Sequence, residues 1–176
     1  MTHIHTPSGT SPSQPGALQI IQANYADWMH AQAVVHLLNA YAQDPAGGGT
    51  ELSTFTKTHL IAELAARPQA FSVLAFSGKL PVGLVNCIEG FSTFACKPLV
   101  NVHDVVVVKS HRGQRVGELM LGLCEQIAIE RGACKLTMEV LSGNVSAMKL
   151  YQRIGFAGYQ LDPSMSSAQF LQKYLE

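Results

Sequence analysis

The stretch Asp104-Val-Val-Val-Val-Lys-Ser-His-Arg-Gly-Gln-Arg-Val-Gly-Glu-Leu-Met120 changes character twice. Four β-branched residues in succession, Val105 to Val108, read as a strand covered on both faces. After Lys109-Ser-His-Arg112 the period becomes helical: Val116, Leu119, Met120, Leu123, Cys124 and Ile127 form one stripe, and Gly132 closes the helix. A strand running through Arg112-Gly113-Gln114-Arg115-Val116-Gly117 into a helix aims free backbone N–H groups at one point, where the helix dipole favours an anion. The glycines allow close approach of a ligand, and Arg112 or Arg115 could add charge-assisted hydrogen bonds. The plain alternative is an exposed turn whose glycines merely start a helix. No G-x-x-x-x-G-K-[ST] loop is present, and the first strand lacks G-x-G-x-x-G.

Towards the C-terminus, Cys134, Leu136, Met138 and Val140 alternate as a strand, so the unit reads as a right-handed β-loop-α-β crossover with a parallel strand pair. Asn144 can cap a helix running to Ile154, with Gly155 at its end. Phe156 to Leu161 and Ala168 to Leu175 read as final strands, the last equally as a helical turn. Towards the N-terminus, Ala17 to Ala23 reads as a first strand and Asp27 to Ala42 as a helix. The loop Asp44 to Thr50 is expected to be mobile, and a helix follows from Thr56 to Ala66. Phe71 to Phe76 and Pro81 to Ile88 flank Ser77-Gly78-Lys79 as a hairpin, and Glu89 to Pro98 reads as a connection into the strand Leu99 to Val108.

At 176 residues the chain fits one domain, 17–176, behind a Thr/Pro/Ser/Gly-rich tail, 1–16, that lacks the apolar run of a signal peptide. His3 and His5 in that tail read as solvated. Twelve basic residues balance twelve acidic ones, so no global field would gather nucleic acid or an acidic membrane. No segment reaches the ~18 apolar residues that a bilayer span requires. The four cysteines form no C-x-x-C pair, which argues against a zinc or redox site and points to reduced, half-buried thiols in a cytoplasmic protein. No metal is expected. With 47% apolar residues, a homodimer would cover part of the surface.

Two motifs in order resemble the GNAT superfamily of acetyltransferases. Arg112 to Gly117 is similar to its R/Q-x-x-G-x-G/A loop, and Asn144-Val-Ser-Ala147-Met-Lys-Leu150-Tyr151-Gln-Arg-Ile-Gly155-Phe156 to its N-x-x-A-x-x-L/F-Y-x-x-x-G-F. The resemblance covers about residues 17–175. It implies an α/β, α+β sandwich-like fold: a mixed, mostly antiparallel sheet of six to seven strands flanked by about four helices, with strands four and five parallel and splayed. It also implies acetyl-CoA as co-substrate, its pantetheine arm bonded by backbone of Val105, Val106 and Val107. The pyrophosphate would be held by Arg112 and by amides of Gly113, Gln114, Arg115, Val116, Gly117 and Glu118. Arg115 stands where the motif has glycine, so a helical backbone with the side chain outward is expected there.

Asn144, Ala147 and Tyr151 share one helix face, with Ala147 leaving room for the cofactor. Tyr151 suits a general acid for the departing thiolate, since a phenol with an ordinary pKa of about 10 holds its proton at neutral pH. Glu89-Gly-Phe91-Ser-Thr-Phe94 and Val102-His103-Asp104 are weakly similar to spermidine/spermine and thialysine acetyltransferases, which carry an acidic pair where this chain has His103-Asp104. His103 is the expected general base and acceptor contact, with Glu89 the alternative, while Asp104 would point to the opposite face and fix the strand. The expected reaction is acetylation of a small-molecule primary amine. The competing readings are protein or peptide N-acetylation and a non-catalytic acyl-CoA sensor.

Overall fold

A computed structural model describes residues 16–158, 164 and 170–175. Five strands form one sheet in the order β1 (Leu18–Gln22), β2 (Ala70–Ser77), β3 (Leu80–Ser92), β4 (Lys97–Val107), β5 (Leu136–Met138). All neighbours are antiparallel except β4 and β5. Four α-helices accompany them among the described residues: α1 (Trp28–Ala42), α2 (Thr54–Ala65), α3 (Val116–Glu130) and α4 (Val145–Arg153). Two further strands were expected from residues 156–161 and 168–175. Residues 159–161, 168 and 169 lie outside the described set, and the described parts, 156–158 and 170–175, are not in strands. The tail at 1–15 also lies outside it.

The sheet is covered on both faces because its strands are apolar at odd and even positions alike. Phe71, Val73 and Ala75 of β2 pack with Val116, Met120, Cys124 and Ile127 of α3. Leu74 and Phe76 pack the other way, with Val34 and Leu37 of α1. The α3 stripe differs from expectation at one place: Leu119 is half exposed, while Leu121 is buried. Leu121 sits where the helix meets the sheet, and a 3.6-residue period cannot locate the edge of a buried face to better than one residue.

Local chemistry sets the helix ends. Asp27 caps α1 by accepting from the amides of Met29 and His30 at 2.8 and 3.2 Å. Ser53 caps α2 two residues earlier than expected, accepting from Thr56 N at 3.0 Å. Gly132, at φ 74°, closes α3. The segment 44–50, expected to be an open loop, is a built turn. Asp44 caps a 3-10 turn at Pro45–Gly47 through Ala46 N, and Leu52 N donates to Asn39 Oδ1 at 2.9 Å.

The connection expected from Glu89 to Pro98 is instead the far half of a long hairpin: β3 runs to Ser92 and β4 begins at Lys97. Most of that half is solvent-exposed, so backbone pairing sustains it without an apolar pattern to announce it. The cysteines divide rather than being uniformly half-buried: Cys87 and Cys124 are buried, Cys96 and Cys134 exposed. No described helix is long and apolar enough to cross a membrane.

Candidate active site

One extra residue in β4 creates the site. In the β3–β4 register Asn86 faces Asp104 and Cys87 faces Val102, which leaves His103 as a β-bulge. Val102 and Val105 are three apart, and regular alternation would send them to opposite faces; the bulge returns both to the α3-side core. The β4–β5 ladder ends at the same level, with Val102 opposite Met138. Beyond it no described strand pairs with the β5-side edge of Val105–Val107. A cleft of 1430 Å³ opens there, floored by these valines and walled by the α3 N-terminus, α4 and the end of α1.

At the α3 end, Gly113 has φ 76° and Arg115, the residue before the helix, has φ 61° and ψ 13°. Arg115 is therefore left-handed, not helical as expected. The chain must reverse sharply to enter α3, and a side chain in this conformation costs about 1 kcal/mol. The Arg115 guanidinium pairs with Glu118, which also takes Arg153 at 2.7 Å. These hydrogen bonds, Arg115 first, hold the Glu118 carboxyl at about 2. Arg112 donates through Nε to Val107 O at 3.0 Å and pairs with Asp44 at 3.3 Å, tying the α1 turn to the loop. Gly117 lets α3 close against its neighbours: a Cβ there would stand 3.2 Å from Leu150 Cδ2.

Charge is concentrated here although the chain is neutral overall. Five cationic side chains line the cleft, Lys109, Arg112, Arg115, Lys149 and Arg153, against two carboxylates, Asp44 and Glu118. Together with the N-terminus of α3 they make the mouth of the cleft positively charged, an environment that favours an anion. The open β4 edge leads inward from it, so an elongated ligand with an anionic end and amide groups along its length fits the cleft. Among the described residues no group of three or more His, Cys, Asp or Glu could hold a metal.

Tyr151 of α4 lines the cleft, is 9% exposed and meets Phe156 edge-on, with centroids 6.1 Å apart. Burial raises its phenol pKa, and the nearby phenol of Tyr41 adds to the shift. It holds its proton throughout the neutral range. Asn144 and Ala147 line the same wall, with Asn144 Oδ1 accepting from Ala147 N at 3.2 Å as the cap of α4.

The cleft brings together Val105, Val106, Val107, Arg112, Gly113, Arg115, Val116, Gly117, Glu118, Asn144, Ala147 and Tyr151. Gln114 is not among its lining residues; its amide turns back to Ser110 O at 3.1 Å. His103 is exposed at the bulge, and Glu89 is paired with Arg131 at 3.1 Å; neither lines the cleft. Asp104 accepts from Asn86 Nδ2 at 3.0 Å and so ties β4 to β3. The bulge removes the alternation that would have set His103 and Asp104 on opposite faces. Sequence reasoning missed Tyr41 and Ala46, because Tyr41 falls on the apolar stripe of α1 and reads as core, and it read Asp44 by default as a solvated loop charge.

A family model described as Acetyltransferase (GNAT) family matches residues 26–156. Streptothricin acetyltransferase of Streptomyces lavendulae is 32% identical over 87 residues, covering 48% of this chain and 46% of its own. The chain thus spans about half the length of that relative. Among solved structures, a probable acetyltransferase superposes with a TM-score of 0.75 at 21% identity, over 90% of this chain and 99% of its own. AAC(6')-Iy in complex with the bisubstrate analog CoA-S-monomethyl-acetylneamine superposes with a TM-score of 0.71 at 15% identity, over 91% of this chain and all of its own. At these identities the structures speak for the fold.

Proposed function

Since the chain belongs to the GNAT acetyltransferase family, we propose that it transfers the acetyl group of acetyl-CoA to a primary amine of a small molecule. The observation that carries this reading is the placement of a buried, protonated Tyr151 on the same cleft as the open β4 edge and the cationic loop. The name of the streptothricin relative, 32% identical over 87 residues, favours a small amine over a peptide. The resemblance to polyamine and thialysine enzymes adds little, because a His-Asp pair carries one negative charge fewer than two carboxylates.

In this reading the amides at 113–118 and Arg112 hold the pyrophosphate, and backbone of Val105–Val107 bonds the pantetheine amides and polarises the thioester carbonyl. Asn144 shapes the wall and Ala147 makes room. The acceptor ammonium loses one proton to His103, through water, and its lone pair attacks the carbonyl carbon. The C–S bond then breaks, sulfur takes the phenolic proton of Tyr151, and the surplus proton on the new amide nitrogen returns to the phenolate. Glu89 is the weaker candidate for the base, because Arg131 already engages it.

A thiol-release assay with acetyl-CoA and a panel of streptothricin, aminoglycosides, polyamines, amino acids and peptides tests the proposal, beside calorimetric binding of acetyl-CoA. Turnover with a small amine is expected. Turnover with peptides alone would move the assignment to protein acetylation. Binding without any turnover would leave a sensor, and no binding of acetyl-CoA would overturn the reading entirely.

A further inference from the structure

Just beyond α1 the chain turns through the 3-10 segment Pro45–Gly47, and Asp44 at its head divides its two carboxylate oxygens between separate partners. Oδ1 accepts from Ala46 N at 3.1 Å and caps the turn; Oδ2 accepts from Arg112 Nη2 at 3.3 Å, across 68 residues of chain. A cap uses one oxygen, and Asn or Ser would serve it as well as Asp. The second oxygen has no part in the turn. Nor does it contribute much stability, since an ion pair whose arginine is more than half exposed is screened by water and salt. Its use lies in what it does to Arg112.

Arg112 is held at two points. Its Nε donates to Val107 O at 3.0 Å, on the last residue of β4, and its Nη2 to Asp44. A guanidinium carries five N–H donors in one rigid plane. One hydrogen bond leaves that plane free to pivot, and the second sets its angle. The other donors make no hydrogen bond among the described residues, and Arg112 lines the cleft beside Gly113, Arg115 and the start of α3.

The anchor is itself built. Asp44 O accepts from Gly47 N at 2.8 Å and from Gly49 N at 3.2 Å, Thr50 N returns to Ala42 O at 3.0 Å, and Leu52 N donates to Asn39 Oδ1. Gly47 packs so closely that a Cβ would stand 2.1 Å from Tyr41 O. The turn is seated on the end of α1, and its carboxylate is a fixed point. A carboxylate near an anion site also repels the anion, but here it stands among five cationic side chains and pairs with one of them. Its repulsion is screened within about 8 Å at physiological salt, whereas a long side chain already held in place loses less freedom when its ligand arrives.

We propose that Asp44 is a positioning residue for the cofactor: with Val107 O it fixes the plane of Arg112, whose remaining N–H groups bind the pyrophosphate of acetyl-CoA. The proposal rests on the acetyl-transfer reading for the identity of the ligand. It adds the residue, from the turn after α1, that prepares the phosphate contact.

Acetyl-CoA binding is measured by calorimetry, beside thermal unfolding, for wild type, Asp44→Asn, Arg112→Ala and the double variant. Asparagine keeps an oxygen for Ala46 N but turns an NH2 group, a donor, towards the guanidinium. Asp44→Asn should therefore unfold within a few degrees of wild type and bind acetyl-CoA roughly three- to tenfold more weakly. Arg112→Ala should lose at least as much, and adding Asp44→Asn to it should weaken binding by less than about twofold further, since nothing remains to be positioned. A purely structural Asp44 would move the unfolding temperature and leave Kd alone. Unchanged or tighter binding by Asp44→Asn overturns the proposal, as does a loss that persists in full without Arg112. Should Asp44→Asn fail to fold, Asp44→Ser, which caps without a second oxygen, takes its place in the same cycle. Coupled binding without acetyl transfer to any amine overturns the transfer reading and leaves the positioning intact; a wild-type chain that binds no acetyl-CoA overturns both.

Discussion

Arg115 and Tyr151 show two ways in which one side chain can matter. At Arg115 the structure uses the backbone: φ 61° turns the loop into α3, while the guanidinium lies along the surface against Glu118. Arg115→Gly should relieve about 1 kcal/mol of left-handed strain, offset by the entropy of the freer unfolded chain and the loss of the exposed Glu118 pair. Stability should then shift by less than about 1 kcal/mol while acetyl-CoA affinity stays nearly unchanged. Denaturant unfolding and calorimetry check this, and a loss of affinity beyond tenfold would show that the arginine side chain, not its amide, grips the phosphates. At Tyr151 the side chain is what counts. Tyr151→Phe keeps the packing against Phe156 and removes only the proton, so turnover should fall ~10²-fold in a thiol-release assay at unaltered acetyl-CoA affinity. Equal turnover would take Tyr151 out of the mechanism. Both residues stand out along the chain, one as a departure from a glycine motif and one as a motif member. Tyr41 does not, because nothing in a helical stripe separates a core phenol from one that borders a cleft.

At the level of elements, the junction of α3 and α4 is held by charge as well as contact, since Glu118 on α3 takes Arg115 and Arg153. Its carboxyl is depressed from the ordinary 4.5 to about 2. A depressed carboxyl stabilises the fold above its unfolded value and loses that contribution as pH falls. The tie should thus weaken from pH 4.5 down towards 2, and Glu118→Gln should flatten that part of an acid-unfolding curve followed by circular dichroism. If the wild-type and Glu118→Gln curves run parallel from pH 6 to 2, the tie contributes nothing. The element boundaries came out of the sequence within a few residues where a cap or glycine marked them, as at Asp27, Ser53, Asn144 and Gly132. They did not at the β3–β4 hairpin or for β5, which shrinks from the expected Cys134–Val140 to Leu136–Met138. Those limits depend on where two strands stop pairing, a property of the pair rather than of either segment.

Across the whole molecule, two cores on opposite faces of one sheet decide which groups meet solvent. Cys87 and Cys124 share the buried core between β3 and α3, and the neighbouring Cys87 thiol and then burial push the Cys124 thiol up. Cys96 and Cys134 lie outside. A thiol reagent should titrate two groups rapidly in the native chain and all four only after unfolding; rapid reaction of a third would contradict the packing. The strand-loop-helix order, the glycine-bearing turn into α3, the second motif and the family likeness were all readable along the chain, because each depends on neighbours in sequence: period, caps and turn residues. The bulge at His103, the engagement of Glu89 by Arg131 and the place of Tyr41 on the cleft were not. They arise from strand register and from a helix end folded over a sheet edge, where residues far apart in the chain come within reach only after the two cores have closed.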